Sequence, residues 1–454
     1  MRSISAATAL ALLVALVFPV KGRSEPAPLL ASTPPMGWNS WDSYGLTITE
    51  SEFMTNAHWL AQHLKNFGWQ YAVVDEGWFL QNPEAKPARF QYAMDQNGRF
   101  IPAANRFPSA ASGVGFKPLA DHLHSLGLRF GIHIVRGIPR EAVAKNVPIA
   151  GSHFSAADAA DQSDVCPWNQ DMYGIRASPA GQAYYDSIAR LYASWGVDFL
   201  KVDCIASHPY KQNEIRMISE ALRKTGRPIV LSLSPGPAPL EKAAELARWA
   251  QMWRISNDVW DHWGVWPKRE WSQGVLGQFA VAAQWAPAVA PGHWPDADML
   301  PLGYIGPRPG EGDARQSALT HEEQRTLLTL WCMLRSPLMM GGNLTQIDAW
   351  TAALLTNQEV LAVDQHATGA RAAVQETTKV IWTARSAAGN AMYAAVFNLA
   401  DNPQTVEYPL QPLGLSAVTY AVRDLWEHRD LGTADRLKVT LQPHASVLYE
   451  LKPR

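Results

Sequence analysis

Cysteine is scarce. Three in 454 residues allow at most one intramolecular bridge, which excludes a disulfide framework as the basis of the fold. Charge is also sparse, at 18% of residues, and it nearly cancels: 39 Lys and Arg against 41 Asp and Glu. No basic run stands out, so the electrostatic footprint of a nucleic-acid or anionic-membrane partner is missing. Past the N-terminus no segment is long and apolar enough for a membrane helix. The N-terminus itself reads as a signal peptide, residues 1–24, with Arg2 as the positive start and Ala6 to Val20 as a short apolar stretch. Export to a periplasm or to the medium is the expectation. Cys332, inside the apolar helix-like run Leu327 to Leu334, is expected to be a buried thiol.

What the chain has in excess is tryptophan, 19 residues. Aromatic rings fill any core. Trp38 and Trp41, then Trp253, Trp260, Trp263 and Trp266, nevertheless lie near carboxylates in the sequence. The apolar C–H face of a sugar stacks on such a ring, while its hydroxyls need charged or amide partners.

Between about residues 34 and 350, short apolar runs alternate with amphipathic stretches. The predicted strands are Met36–Trp41, Tyr71–Val74, Arg129–Ile134, Phe199–Val202, Ile229–Leu233, Met252–Ile255, a weak one at Gln284–Val289, and Pro337–Met340. Helical spacing marks Glu50–Phe67, Phe116–Leu126, Gly181–Trp195 and Gln212–Lys224. Alternating β and α with buried strands predicts a parallel sheet, and eight repeats predict a closed (β/α)8 barrel over residues 25–358. From Arg136 to about Tyr173 the chain loses periodicity, as functional walls and bland insertions both do. Short strand-like runs from Val380 to Leu451 predict a C-terminal antiparallel β-sandwich, residues 359–454, without concentrated carboxylates.

Polar residues gather after the predicted strands, where a barrel keeps its active site. In Phe-Leu-Lys-Val-Asp-Cys (199–204), Lys201 and Asp203 share one side of a strand. A buried lysine needs a carboxylate or a ligand, and its charge keeps a neighbouring acid ionised. A structural ion pair is the plainer reading. In Trp253 to Trp263, Arg254 precedes two acids, Asp258 and Asp261, between which spacing cannot choose. Val-Val-Asp-Glu-Gly-Trp (73–78) places Asp75 beside Glu76, where sugar hydroxyls can bridge two acids; no third ligand is spaced to complete a metal site.

Seven segments in order resemble glycoside hydrolase family 27, the α-galactosidases and their relatives: 34–41, 74–78, 127–133, 201–204, 253–259, 294–300 and 335–342. The resemblance implies a (β/α)8 barrel with a C-terminal β-sandwich, hydrolysis with retention of configuration, and no metal or other cofactor. It places Asp203 on the nucleophile and Asp258 on the acid/base, against Asp261. Trp41, Asp75, Lys201 and Arg254 fall on sugar-contacting positions, and Ser234 falls where relatives adjust recognition at C2. It further implies a Cys166–Cys204 disulfide. The implied partner is an oligosaccharide or polysaccharide ending in galactose or arabinopyranose.

One departure bears on substrate. α-Galactosidases usually carry two adjacent aspartates where this chain has Asp75 and Glu76. The extra methylene of Glu76 would protrude near C6, and β-L-arabinopyranose is α-D-galactopyranose without its C6 hydroxymethyl. One methylene is worth about 1–3 kcal/mol in a pocket, so dual activity is also in reach. The favoured reading is an α-galactosidase, then a β-L-arabinopyranosidase, then a non-catalytic sugar-binding protein, which would usually lack one of the two carboxylates.

Overall fold

The computed structural model describes residues 29–266, 271–310, 312–387, 389–415 and 419–454; the expected signal peptide lies outside them. Eight parallel strands form the body: β1 Met36–Asn39, β2 Tyr71–Val74, β3 Arg129–Val135, β4 Phe199–Asp203, β5 Val230–Leu233, β6 Met252–Arg254, β7 Trp294–Asp296 and β8 Leu338–Met340. They pair in chain order from β1 to β7, and β8 pairs back on β1. A parallel bridge from Leu300 to Met340 links the β7 end to β8, the Leu300 amide donating to the Met339 carbonyl at 2.8 Å. Helices such as Glu50–His63, Pro179–Trp195, Gln212–Lys224 and His321–Leu334 cover the outside.

The two-residue period of the strands sorts the sequence into layers. Tyr71, Val73, Phe199, Val230, Met252, Trp294 and Met339 meet inside the barrel as one apolar cluster. One step further along the same sides stand Asp75, Lys201, Asp203 and Arg254, so the apolar plug forms the floor under a polar mouth.

The weak strand at Gln284–Val289 does not exist. Val275–Trp285 is a helix and Ala286–Ala288 a 3-10 turn. Val275, Phe279, Ala282 and Trp285 are buried at helical spacing, so the helix runs into the segment as far as Trp285 and Pro287 lies in the turn that follows. The true β7 has three residues with Pro295 at its centre, and proline in a short run suppresses any strand signal.

Tryptophan serves mostly the core. Trp38, Trp69, Trp78, Trp253, Trp294, Trp331 and Trp382 are fully buried. Trp263 stacks on His444 of the C-terminal part, ring centroids 4.1 Å apart. Of the six tryptophans expected near sugar, only Trp41 and Trp260 line the mouth.

The aperiodic stretch after β3 is a wall with its own small sheet, Ile138–Pro139, Met172–Ile175 and Ala160–Val165. Arg136, 2% exposed, anchors it through Asp164 at 2.7 Å and Glu214 at 2.8 Å. A Cys166–Cys204 disulfide ties the wall to the residue after Asp203. Cys332 is free and buried.

Beyond the barrel, six antiparallel strands form one sheet, running from Ala367–Gln375 to Ser446–Pro453, and Gln404–Pro409 pairs with Arg436–Leu441 as a second layer. Their shared core includes Ile381, Val396, Val406, Leu437 and Leu451. Among the described residues no helix is long and apolar enough to cross a membrane.

Candidate active site

The barrel mouth holds a pocket that opens to solvent. Trp41, Asp75, Glu76, Lys201, Asp203, Ser234, Arg254 and Asp258 all line it, joined by Asp42, His133, Trp168, Trp260, Asp298 and Met299. Strands β1 to β7 each contribute side chains from near or just beyond their C-terminal ends, so residues distant in sequence converge without any one loop having to carry the site.

Asp75, 2% exposed, is fully engaged. Its Oδ2 accepts from Lys201 Nζ at 2.9 Å and from Asn39 Nδ2 at 2.7 Å, and its Oδ1 accepts from the Glu76 amide at 2.8 Å. Burial pushes its pKa upward, but Lys201, His133 and the amide outweigh burial and hold it well below the usual carboxylate range. Lys201 is reciprocally held charged against its own desolvation, first by Asp75 and then by Asp203.

Asp203 ends β4 at the rim. Its Oδ1 accepts from the Trp168 indole at 2.9 Å and its Oδ2 from the Ser234 hydroxyl at 3.1 Å, with His133 Nε2 at 3.9 Å. Burial opposes ionisation here too, yet His133, Lys201 and Trp168 bring the pKa below the ordinary value. The result is a half-buried, ionised carboxylate lining the pocket, which is what a nucleophile requires.

Asp258 stands opposite in character, its side chain 45% exposed. Arg254 Nη2 lies 3.1 Å from its Oδ1 and 2.7 Å from Asp298 Oδ2. Asp298 also accepts from the Val259 amide at 2.7 Å, which fixes the turn carrying Asp258. Burial, and the neighbouring carboxylates of Asp258 and Asp296, push Asp298 up to about 7 despite Arg254. Asp261 is elsewhere. It is 4% exposed and clasped by Arg315 at 2.5 and 2.8 Å, a structural ion pair outside the pocket.

Glu76 meets the wall: its Oε1 accepts from Asn169 Nδ2 at 2.7 Å. Burial, then the charges of Asp203 and Asp75, push its pKa up to about 7, against His133 and Asn169.

Sequence reasoning missed Asp42, His133, Trp168, Asn169 and Asp298. His133 and Asp298 sit inside the matching segments 127–133 and 294–300, and His133 also lies on the inward period of β3 from Gly131. Asp42 follows Trp41; its Oδ2 is buried without a hydrogen-bond partner, and burial raises its pKa well above the ordinary value. Trp168 and Asn169 lie in the aperiodic wall, which offered no signal.

Known proteins of similar sequence and fold place the chain in a family. The family model for alpha-galactosidase A matches residues 169–366, and that for the alpha-galactosidase C-terminal β-sandwich domain matches residues 376–451. A GH27 β-L-arabinopyranosidase structure from Geobacillus stearothermophilus is 48% identical, with a TM-score of 0.88 over 93% of this chain and 97% of that one. The alpha-galactosidase of Oryza sativa is 26% identical over 93% of this chain and 86% of its own length. Alpha-galactosidase A of Cellvibrio japonicus is 26% identical over 98% of both. The fold, the pocket and these matches together show that the chain is a glycoside hydrolase and belongs to family 27.

Proposed function

We propose that the enzyme is a retaining exo-glycosidase that removes terminal β-L-arabinopyranosyl residues, with α-D-galactosides as slower second substrates. The observation that carries this reading is Glu76, which lines the pocket beside the buried Asp75–Lys201 pair. A glutamate there takes up room near C6 that an arabinopyranoside leaves free. Kinship at 48% with an arabinopyranosidase, a variant of which was solved with arabinose, supports the same ranking. The galactoside, placed first by the sequence alone, is supported by the relatives at 26% identity.

In this reading Asp203 attacks the anomeric carbon while Asp258 gives its proton to the glycosidic oxygen. The bond to the leaving group breaks, and an ester joins the sugar to Asp203. Water then attacks the same carbon, passing a proton to Asp258 and freeing the Asp203 carboxylate, so two inversions restore the configuration. The ionised state of Asp203 and the exposure of Asp258 support this division of labour. Export is part of the proposal: Arg2 and the stretch Ala6 to Val20 suit a cleaved signal, and the disulfide suits an oxidising compartment.

The test is kcat/KM on the p-nitrophenyl glycosides of β-L-arabinopyranose and α-D-galactose, side by side. A preference of tenfold or more for the arabinoside is expected. A galactoside preference would make the enzyme an α-galactosidase, and activity on neither would overturn both assignments of the sugar.

A further inference from the structure

We propose that Asn169, from the wall after β3, is a specificity-positioning residue: it fixes the carboxyl of Glu76 and so sets how sharply the pocket discriminates at C6. This rests on the reading of Glu76 above. Asn169 is 9% exposed, and its amide has one available orientation. The Asp171 backbone N–H, which can only donate, lies 2.9 Å from Asn169 Oδ1. The amide nitrogen is therefore the end turned to Glu76, where it donates to Oε1 at 2.7 Å.

The platform under Asn169 is held on both sides. Upstream, Cys166 is bonded to Cys204, next to Asp203, and Trp168 donates to Asp203 Oδ1 at 2.9 Å. Downstream, the Asp171 carbonyl accepts from the Arg140 amide at 2.9 Å, the Asp171 carboxyl accepts from Tyr92, and Met172 pairs with Pro139. A glutamate has more rotamers than an aspartate, and unheld it would present a moving boundary. Held by a fixed amide, the same side chain becomes a fixed edge, and a fixed edge can reject a hydroxymethyl group.

The experiment measures the ratio of kcat/KM for p-nitrophenyl β-L-arabinopyranoside and α-D-galactopyranoside in four proteins: wild type, Asn169→Ala, Glu76→Asp and the double variant. Asn169→Ala should bring the ratio about tenfold closer to one. In the Glu76→Asp background, whose shorter side chain falls back from Asn169, the same change should move the ratio less than twofold. Thermal unfolding of each variant separates selectivity from stability. An unchanged ratio in Asn169→Ala, or an equal shift in both backgrounds, would overturn the proposal. The wild-type ratio tests the substrate reading separately, because loss of discrimination is measured from whichever sugar wild type prefers.

Discussion

Lys201 is a charge inside a barrel, and the carboxylates around it explain its presence. Asp75 satisfies it at 2.9 Å, and its field reaches Asp203, which it helps to keep ionised without touching. Asp203→Asn removes the nucleophile but keeps the shape and the acceptor oxygen, so kcat should fall by at least about 10⁴-fold while thermal unfolding stays close to wild type. Turnover near wild type in that variant ends the nucleophile assignment. Asp258→Asn is expected to behave differently with leaving group: an unactivated glycoside needs the proton and should lose about 10²–10⁴-fold, whereas nitrophenolate leaves readily and should suffer less in the first step. Equal losses on both substrates would remove the acid role. Asp203 was legible because inward strand periodicity and a family segment point at the same position, whereas Asp258 rested on the family segment, since spacing could not choose it over Asp261. Asn169 and Trp168 were not, because their placement depends on a bridge and an ion-pair cluster that no local pattern encodes.

At the level of elements, the barrel strands could be read wherever apolar content and helix period disagreed clearly. Tyr71–Val74 and Gln212–Lys224 stand where they were expected. The failure at Gln284–Val289 came from a short apolar segment that begins as the end of the helix Val275–Trp285, next to a three-residue strand containing proline. The wall after β3 was recognisable only as a break in pattern, since its structure is organised by Arg136. That guanidinium meets Asp164 and Glu214, with Lys211 adding to Asp164 at 2.8 Å and Tyr185 donating to Glu214. Arg136→Met would leave two partly or fully buried carboxylates short of a partner, a loss of about 3–5 kcal/mol. The expected outcome is a lower unfolding temperature together with a lower kcat/KM, because the same wall delivers Trp168 to Asp203. A variant with wild-type stability and kinetics would show that the disulfide alone positions the wall.

Across the whole molecule, none of the residues lining the pocket comes from the sandwich, yet the two parts share buried structure. The helix His321–Leu334 is the common wall. Its Thr326 hydroxyl donates to the His444 carbonyl at 2.6 Å, and its Thr329 oxygen accepts from the Trp426 indole at 2.9 Å. Phe279 and Phe397 meet edge to face across the same boundary, ring centroids 5.0 Å apart. His444 also stacks on Trp263, five residues beyond Asp258, so the sandwich supports the chain that presents the second carboxylate. An interface built of buried rings and satisfied hydroxyls predicts that barrel and sandwich unfold together. Trp426 is the residue to remove: it is 8% exposed, with the Arg325 guanidinium 5.5 Å from its ring. Trp426→Ala should lose about 3–5 kcal/mol from the cavity left behind. The measurement is thermal unfolding followed in parallel by circular dichroism and by residual activity. If the parts are one cooperative unit, both signals fall in a single transition that moves to lower temperature. Two separated transitions, with activity surviving the first, would instead mean that the barrel holds its site without the sandwich.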